Sequence, residues 1–217
     1  MGTPVKPKTA TMRTISILSQ KGGTGKTTLS LHLAVAAQTH GRCAVVIDLD
    51  PQASSAEWKD SRAVDTPIVV AVPPPRLTHA LKAAQDGGAE FVFIDTAPHS
   101  GDVALSAAEA ADLLLIPCRA AILDLRAIGT TAKVAKLSGK PAFVVLNAVP
   151  PQATHVLEDA RAAVDVHGLK VAPIALQQRA AFAHSLTAGQ TAQEYEPRGK
   201  AAEDIEKLFS WLQKMVA

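Results

Sequence analysis

Two kinds of residue in this chain have the types and spacing for chemistry on phosphate. The first is the run Gln20-Lys21-Gly22-Gly23-Thr24-Gly25-Lys26-Thr27-Thr28. Its glycines let backbone N–H groups turn inward around anionic oxygens, and a helix opening at Lys26 adds the favourable end of its dipole. The spacing is that of a phosphate loop between a strand and a helix. Gly22, Gly23, Thr24 and Gly25 form the cradle, and Lys26 reaches the β- and γ-phosphates of a nucleotide. The Thr27 hydroxyl binds Mg2+, and Thr28 continues the nucleotide-binding run into the helix. The second kind is a pair of apolar strands ending in acids, Val45-Val46-Ile47-Asp48-Leu49-Asp50-Pro51-Gln52 and Phe91-Val92-Phe93-Ile94-Asp95-Thr96-Ala97-Pro98. A carboxylate at a strand end beside a phosphate loop suits a metal-bound water, the role expected of Asp95, and Asp48 is placed to assist through Mg2+ waters.

These groups need a scaffold that brings strand ends together. Strands are predicted over Thr14–Ser19, Ala44–Leu49, Ile68–Val72, Phe91–Asp95, Leu113–Pro117, Ala142–Asn147 and Lys170–Pro173. They are short, continuous and rich in Val and Ile, as in strands covered on both faces. Helices are predicted over Lys26–His40, Arg76–Asp86, Val103–Ala110, Leu123–Leu137, Gln152–His167, Arg179–Ala188 and Ala201–Val216. Gly41, Gly87–Gly88, Gly139 and Gly168 close several of them. Val72-Pro73-Pro74-Pro75 reads as a stiff loop between strand and helix. The alternation predicts an α/β fold with a doubly wound, mainly parallel sheet and helices on both faces.

The chain has 217 residues, enough for one domain that buries roughly 70% of its unfolded surface without a metal or disulfide. Its 47% hydrophobic share against 4% aromatic makes a core of Ala, Val, Leu and Ile. A formal charge of +2 does not mark a strong nucleic-acid binder but permits one if the charge is unevenly placed. Cys43 and Cys118, outside any CxxC or Cys/His cluster, read as buried structural thiols. No apolar run reaches the ~18 residues of a membrane span. Residues Met1–Thr11, with two prolines and no apolar rhythm, read as a disordered extension before a single domain over residues 12–217.

The run Lys21–Thr28 and the segment Asp48–Gln52 together resemble the deviant Walker motifs of the ParA/MinD family of P-loop ATPases. Where an ordinary phosphate loop begins with Gly, this chain has Gln20, followed by Lys21. The resemblance implies that Lys21 crosses an ATP-dependent homodimer to the partner's nucleotide and serves catalysis with Lys26. It implies that Asp50 positions or polarises the attacking water. Leu114-Leu115-Ile116-Pro117 with Leu123-Asp124-Leu125 resembles small plasmid ParA proteins such as ParF, although Cys118-Arg119-Ala120-Ala121 stands where that subgroup is proline-rich. Asn147, at the end of its strand, is a candidate for the adenine edge or a plain loop-capping Asn, and Gln177-Gln178-Arg179 is a candidate for contacts on the base side. The family implies ATP and Mg2+, non-specific DNA, a ParB-like stimulating partner and a cytoplasmic, nucleoid-associated protein that moves DNA or protein cargo.

Two other functions use the same scaffold. A MinD-like membrane switch needs a C-terminal amphipathic helix, and Ile205, Leu208, Phe209, Leu212, Met215 and Val216 form an apolar stripe. Glu203, Asp204 and Glu206 on that segment favour a core-packed helix, with no stable membrane anchoring. A ligase of the dethiobiotin synthetase type needs a substrate pocket and does not call for Lys21 or Asp50-Pro51-Gln52.

Overall fold

A computed structural model describes residues 11–120, 128–151 and 154–217. Its strands are β1 (Arg13–Ile17), β2 (Ala44–Asp48), β3 (Ile68–Ala71), β4 (Phe91–Asp95), β5 (Leu113–Arg119), β6 (Ala142–Asn147) and β7 (Lys170–Val171). Its helices are α1 (Lys26–Thr39), α2 (Ser54–Asp60), α3 (Leu77–Asp86), α4 (Gly101–Glu109), α5 (Ile128–Ser138), α6 (Thr154–Asp165), α7 (Ala180–Thr187), α8 (Ala192–Tyr195) and α9 (Lys200–Met215). The strands form one sheet in the order β3-β2-β4-β1-β5-β6-β7. Every pairing is parallel.

Side chains alternate across each strand and so feed two cores. Val45, Ile47, Val92, Ile94, Leu114 and Ile116 pack on one face against α3, α4, α5 and α6. Ile15, Ile17, Val46, Phe91, Phe93 and Leu115 pack on the other against α1, α2 and α9. The apolar stripe of α9 is spent in this second core: Ile205, Leu208, Phe209 and Leu212 are fully buried, leaving Met215 as its exposed end. Among the described residues no helix is long and apolar enough to cross a membrane.

Several local expectations are corrected. β3 is not covered on both faces: it lies at the sheet edge, pairs only with β2, and leaves Ile68 49% and Val70 36% exposed. The last strand stops at Val171, because only Phe143 and Val144 of β6 offer it a ladder. Cys118 is buried, but Cys43 is exposed at the end of the turn before β2, with its N–H tied to Glu90. The proline loop winds into a 3-10 turn over Pro74–Arg76. Gly87 keeps an ordinary right-handed conformation and Gly88 alone of that pair takes positive φ. Helix α2 and the short α8 had no periodic signal. The Met1–Ala10 part of the extension, Leu123-Asp124-Leu125 and Gln152 lie outside the described residues.

Candidate nucleotide site

The chain reverses direction in the sheet around β1, which sits between β4 and β5, and the phosphate loop leaves the carboxyl end of β1. In open α/β sheets such a crevice is where ligands bind. Gly25 shows why the loop needs glycine: its φ is 96°, and a Cβ there would sit 2.2 Å from Nδ2 of Asn147. The loop is braced from outside. The Gln20 N–H donates to Thr131 Oγ1 at 3.1 Å, and Asn147 Nδ2 donates to the Thr24 carbonyl at 2.7 Å. The backbone N–H groups of Gly22, Gly23, Thr24 and Gly25 have no hydrogen-bond partner among the described residues. Inward-turned amides at the start of α1 are the donor set that phosphate requires.

The acids come to the same place. Asp48 and Asp95 are register partners across β2 and β4, and Asp95 also pairs with Ile17 at the end of β1. Lys26 is buried, which lowers its pKa, while the charges of Asp95 and Asp50 pull the other way. Burial pushes Asp95 up to about 7 against the Thr27 hydroxyl; the Asp48 charge adds to the rise, and Ser55 and Lys26 oppose it. Its Oδ2 accepts from Ser55 Oγ at 3.0 Å, whereas Oδ1 is buried without a hydrogen-bond partner. A buried carboxylate oxygen beside a threonine hydroxyl, at a site that also carries phosphate donors, fits Mg2+ and its waters.

Asp48, expected to assist through Mg2+ waters, is also bonded to the protein backbone. Its Oδ1 accepts the Asp50 N–H at 2.9 Å and its Oδ2 the Ser55 N–H at 3.0 Å. It thereby shapes the segment that carries Asp50, and burial raises its pKa against those two bonds. Asp50 itself caps the next turn, accepting from the Gln52 N–H at 2.9 Å. Lys21 lies close enough to the end of β5 for its charge to act on Cys118, whose thiol burial pushes up to about 11.

Beyond the loop opens a cavity of about 670 Å³ lined by Gly23, Gly25, Thr28, Arg119, Asn147, Gln177, Gln178, Arg179, Phe182 and Leu186 among others. That size and mixed lining suit a nucleoside next to a phosphate cradle. The expected base-side residues are therefore gathered at one wall. Asn147 is also a brace, since its Oδ1 accepts from Ala148 N–H at 2.8 Å while Nδ2 holds Thr24. Arg179 is held by Asp204 at 3.3 Å and by Gln177 at 2.6 Å.

Four contributors had no legible sequence signal: Thr131, Ser55, Arg119 and Phe182. Each is an ordinary residue whose role depends on an element distant in sequence. His32 belongs with them. Its Nδ1 lies 2.7 Å from the Thr28 carbonyl, and Nε2 accepts the Ala192 N–H at 3.0 Å, which defines a neutral tautomer. It ties the helix that carries the loop to α8.

Known proteins resemble this chain in sequence and fold. Residues 15–209 match the family described as the CobQ/CobB/MinD/ParA nucleotide binding domain. The chain is 32% identical over 203 residues to "Maintenance of carboxysome distribution protein A" of Gloeobacter kilaueensis, covering 92% of each. It is 26% identical over 151 residues to the "Chromosome-partitioning ATPase Soj" of Thermus thermophilus, covering 55% of this chain and 59% of that one. The solved cell division ATPase MinD of Pyrococcus furiosus superposes with a TM-score of 0.72 at 25% identity, over 94% of this chain and 100% of that one. MinD of Pyrococcus horikoshii, complexed with Mg-ADP, gives 0.77 at 22% identity, over 94% and 97%. With the fold, the loop and this breadth of match in agreement, the chain belongs to the CobQ/CobB/MinD/ParA nucleotide-binding family.

Proposed function

We propose that this protein is a ParA-type positioning ATPase: ATP drives a sandwich homodimer, the dimer holds DNA without regard to sequence, and a partner protein stimulates hydrolysis and release. The observation that carries the reading is the union in one site of a complete phosphate loop with the Asp48–Gln52 segment, whose Asp50 lies close enough to Lys26 to oppose the effect of its burial. Lys26 and the loop amides hold the β- and γ-phosphates, and Asp50 orients the attacking water. Lys21, on the rim of the loop, reaches the partner's nucleotide, where one more cation stabilises the charge of the transferring phosphoryl group. Mg2+, when bound, supplies charge neutralisation at the phosphate oxygens; Thr27 would hold it directly, and Asp95 and Asp48 through water. The Asn147 and Gln177–Arg179 wall takes the base.

The 32% identity to a carboxysome distribution protein favours a protein assembly as cargo over a plasmid of the ParF type, and a dedicated partner in the place of ParB. Cytoplasmic localisation, on the nucleoid in the ATP state, goes with that reading. The burial of Ile205, Leu208, Phe209 and Leu212 supports this reading over a membrane switch, since that apolar stripe packs in the core. The test is retention of the purified protein on DNA of arbitrary sequence with ATP, with ADP and without nucleotide. Retention with ATP alone is expected; equal retention in all three would overturn the DNA step. ATP-dependent binding to anionic vesicles instead would replace it with the membrane switch.

A further inference from the structure

Ser55 stands where three parts of the site meet, and nothing in the phosphate-loop pattern calls for it. It is the second residue of α2 and has no solvent exposure. Its hydroxyl donates to Asp95 Oδ2 at 3.0 Å, and its backbone N–H donates to Asp48 Oδ2 at 3.0 Å. One residue thus holds the terminal acids of two neighbouring strands, whose Cα positions are register partners. A carboxylate held at one oxygen has its plane fixed, so the other oxygen is aimed. In Asp95 that other oxygen, Oδ1, is the buried one without a partner.

The far end of α2 is clamped as well. Trp58 is buried and its Nε1 donates to the Gln190 carbonyl at 3.1 Å. The Arg62 guanidinium lies 4.3 Å from the centre of the Trp58 ring and pairs with Glu194 at 2.7 Å. Ser55 thus joins Asp95 to a helix whose other end holds a buried indole.

We infer that Ser55 is a positioning residue: its hydroxyl aims Asp95 Oδ1 at the hydrated divalent cation and couples that cation to the placement of α2. The inference rests on the ATPase reading given above. It separates the two ties, because Ser55→Ala removes the hydroxyl and keeps the N–H to Asp48.

The experiment uses the full chain carrying Trp211→Phe, which leaves Trp58 as the one tryptophan. Binding of a fluorescent ADP is titrated with Mg2+ and with EDTA, and Trp58 emission is followed in parallel. Loss of a hydrogen bond to a charged group should raise the half-saturating Mg2+ about ten-fold in Ser55→Ala. Nucleotide affinity in EDTA should stay within two-fold (about 0.4 kcal/mol). The Mg2+-dependent change in Trp58 emission should be lost. Ser55→Thr, which restores a hydroxyl, should recover both. Unchanged Mg2+ dependence in a folded Ser55→Ala would overturn the inference while leaving the ATPase reading intact. Equal loss in EDTA and in Mg2+, or failure of a folded Ser55→Thr to recover, would reduce Ser55 to a packing residue. Absence of nucleotide binding in the Trp211→Phe parent under all conditions would overturn the ATPase reading itself, and the inference with it.

Discussion

On the proposed ATPase reading Lys26, Lys21 and Asp50 would divide the work of the site, and their substitutions should separate cleanly. Lys26→Ala would remove the cation proposed for the β- and γ-phosphates and should abolish ATP binding in a calorimetric titration. Asp50→Ala should keep binding and slow hydrolysis at least ten-fold, trapping the dimer; hydrolysis at the parental rate would show that another group orients water. Lys21→Ala should bind ATP with little change yet stay monomeric by light scattering, since a charge-assisted contact worth roughly 1.5–3 kcal/mol is lost twice in a symmetric dimer. His32 sets a pH dependence of stability. Burial lowers its pKa from 6.5 to about 4, against the Thr28 carbonyl and the Glu194 charge. Below pH 6.5 the unfolded chain takes up a proton that the folded chain refuses until about pH 4, so stability falls with acidification across that window. The loss is on the order of 3 kcal/mol. Denaturant midpoints of the parent and of His32→Gln between pH 7 and 4 check this: the variant should lose much of the slope, and an identical slope would exclude His32 as its source.

At the scale of elements, α2 is the part that periodicity missed and ion pairing reveals. Burial pushes the Glu194 pKa up, but Arg62 and the Thr191 N–H and hydroxyl outweigh it and hold the carboxyl below its ordinary range. The Arg62 side chain is 2% exposed and also donates to the Gly189 carbonyl at 3.0 Å. Arg62→Ala removes the cation paired with Glu194 and stacked over Trp58 while Thr191 still holds the carboxylate, so it should cost about 1–3 kcal/mol in urea unfolding. A cost below about 1 kcal/mol, the range of surface pairs, would show that the clamp carries no stability. Leu208→Ala tests α9 in the same assay. Its side chain has no exposure, and about 2–5 kcal/mol is expected from lost transfer energy and a cavity.

For the whole molecule, the near-neutral charge of +2 means that the proposed DNA binding would have to come from local groupings of cations, for which Lys200, Lys207 and Lys214 of α9 are the candidates. Lys200 and Lys214 carry no ion pair among the described residues, whereas Lys207 is matched by Glu203 at 2.7 Å. Retention on DNA should weaken with salt at a slope of about 0.9 per phosphate neutralised. Lys200→Ala with Lys214→Ala should lower that slope and leave basal ATPase rates unchanged in a coupled assay. A slope independent of both lysines would move the DNA surface elsewhere.

The sequence alone determined the sheet and the cradle, because both are written in local terms. Short continuous apolar runs such as Val45–Ile47 and Phe91–Ile94, alternating with helical stretches, point to buried parallel strands, and glycine spacing around Lys26 dictates a loop geometry over nine residues. Only the tertiary structure decided which groups answer those residues from elsewhere. Gln20 is met by Thr131, Gly25 by Asn147, Asp95 by Ser55 and His32 by Ala192, pairs 111, 122, 40 and 160 positions apart. Ser, Thr and Asn carry no periodic signal, and a hydrogen bond between strand end and helix start depends on how the sheet twists and where a helix lands. The exposure of β3 and the truncation of β7 were decided in the same way: a strand's composition sets that it extends, and its place in the sheet order sets whether anything covers it.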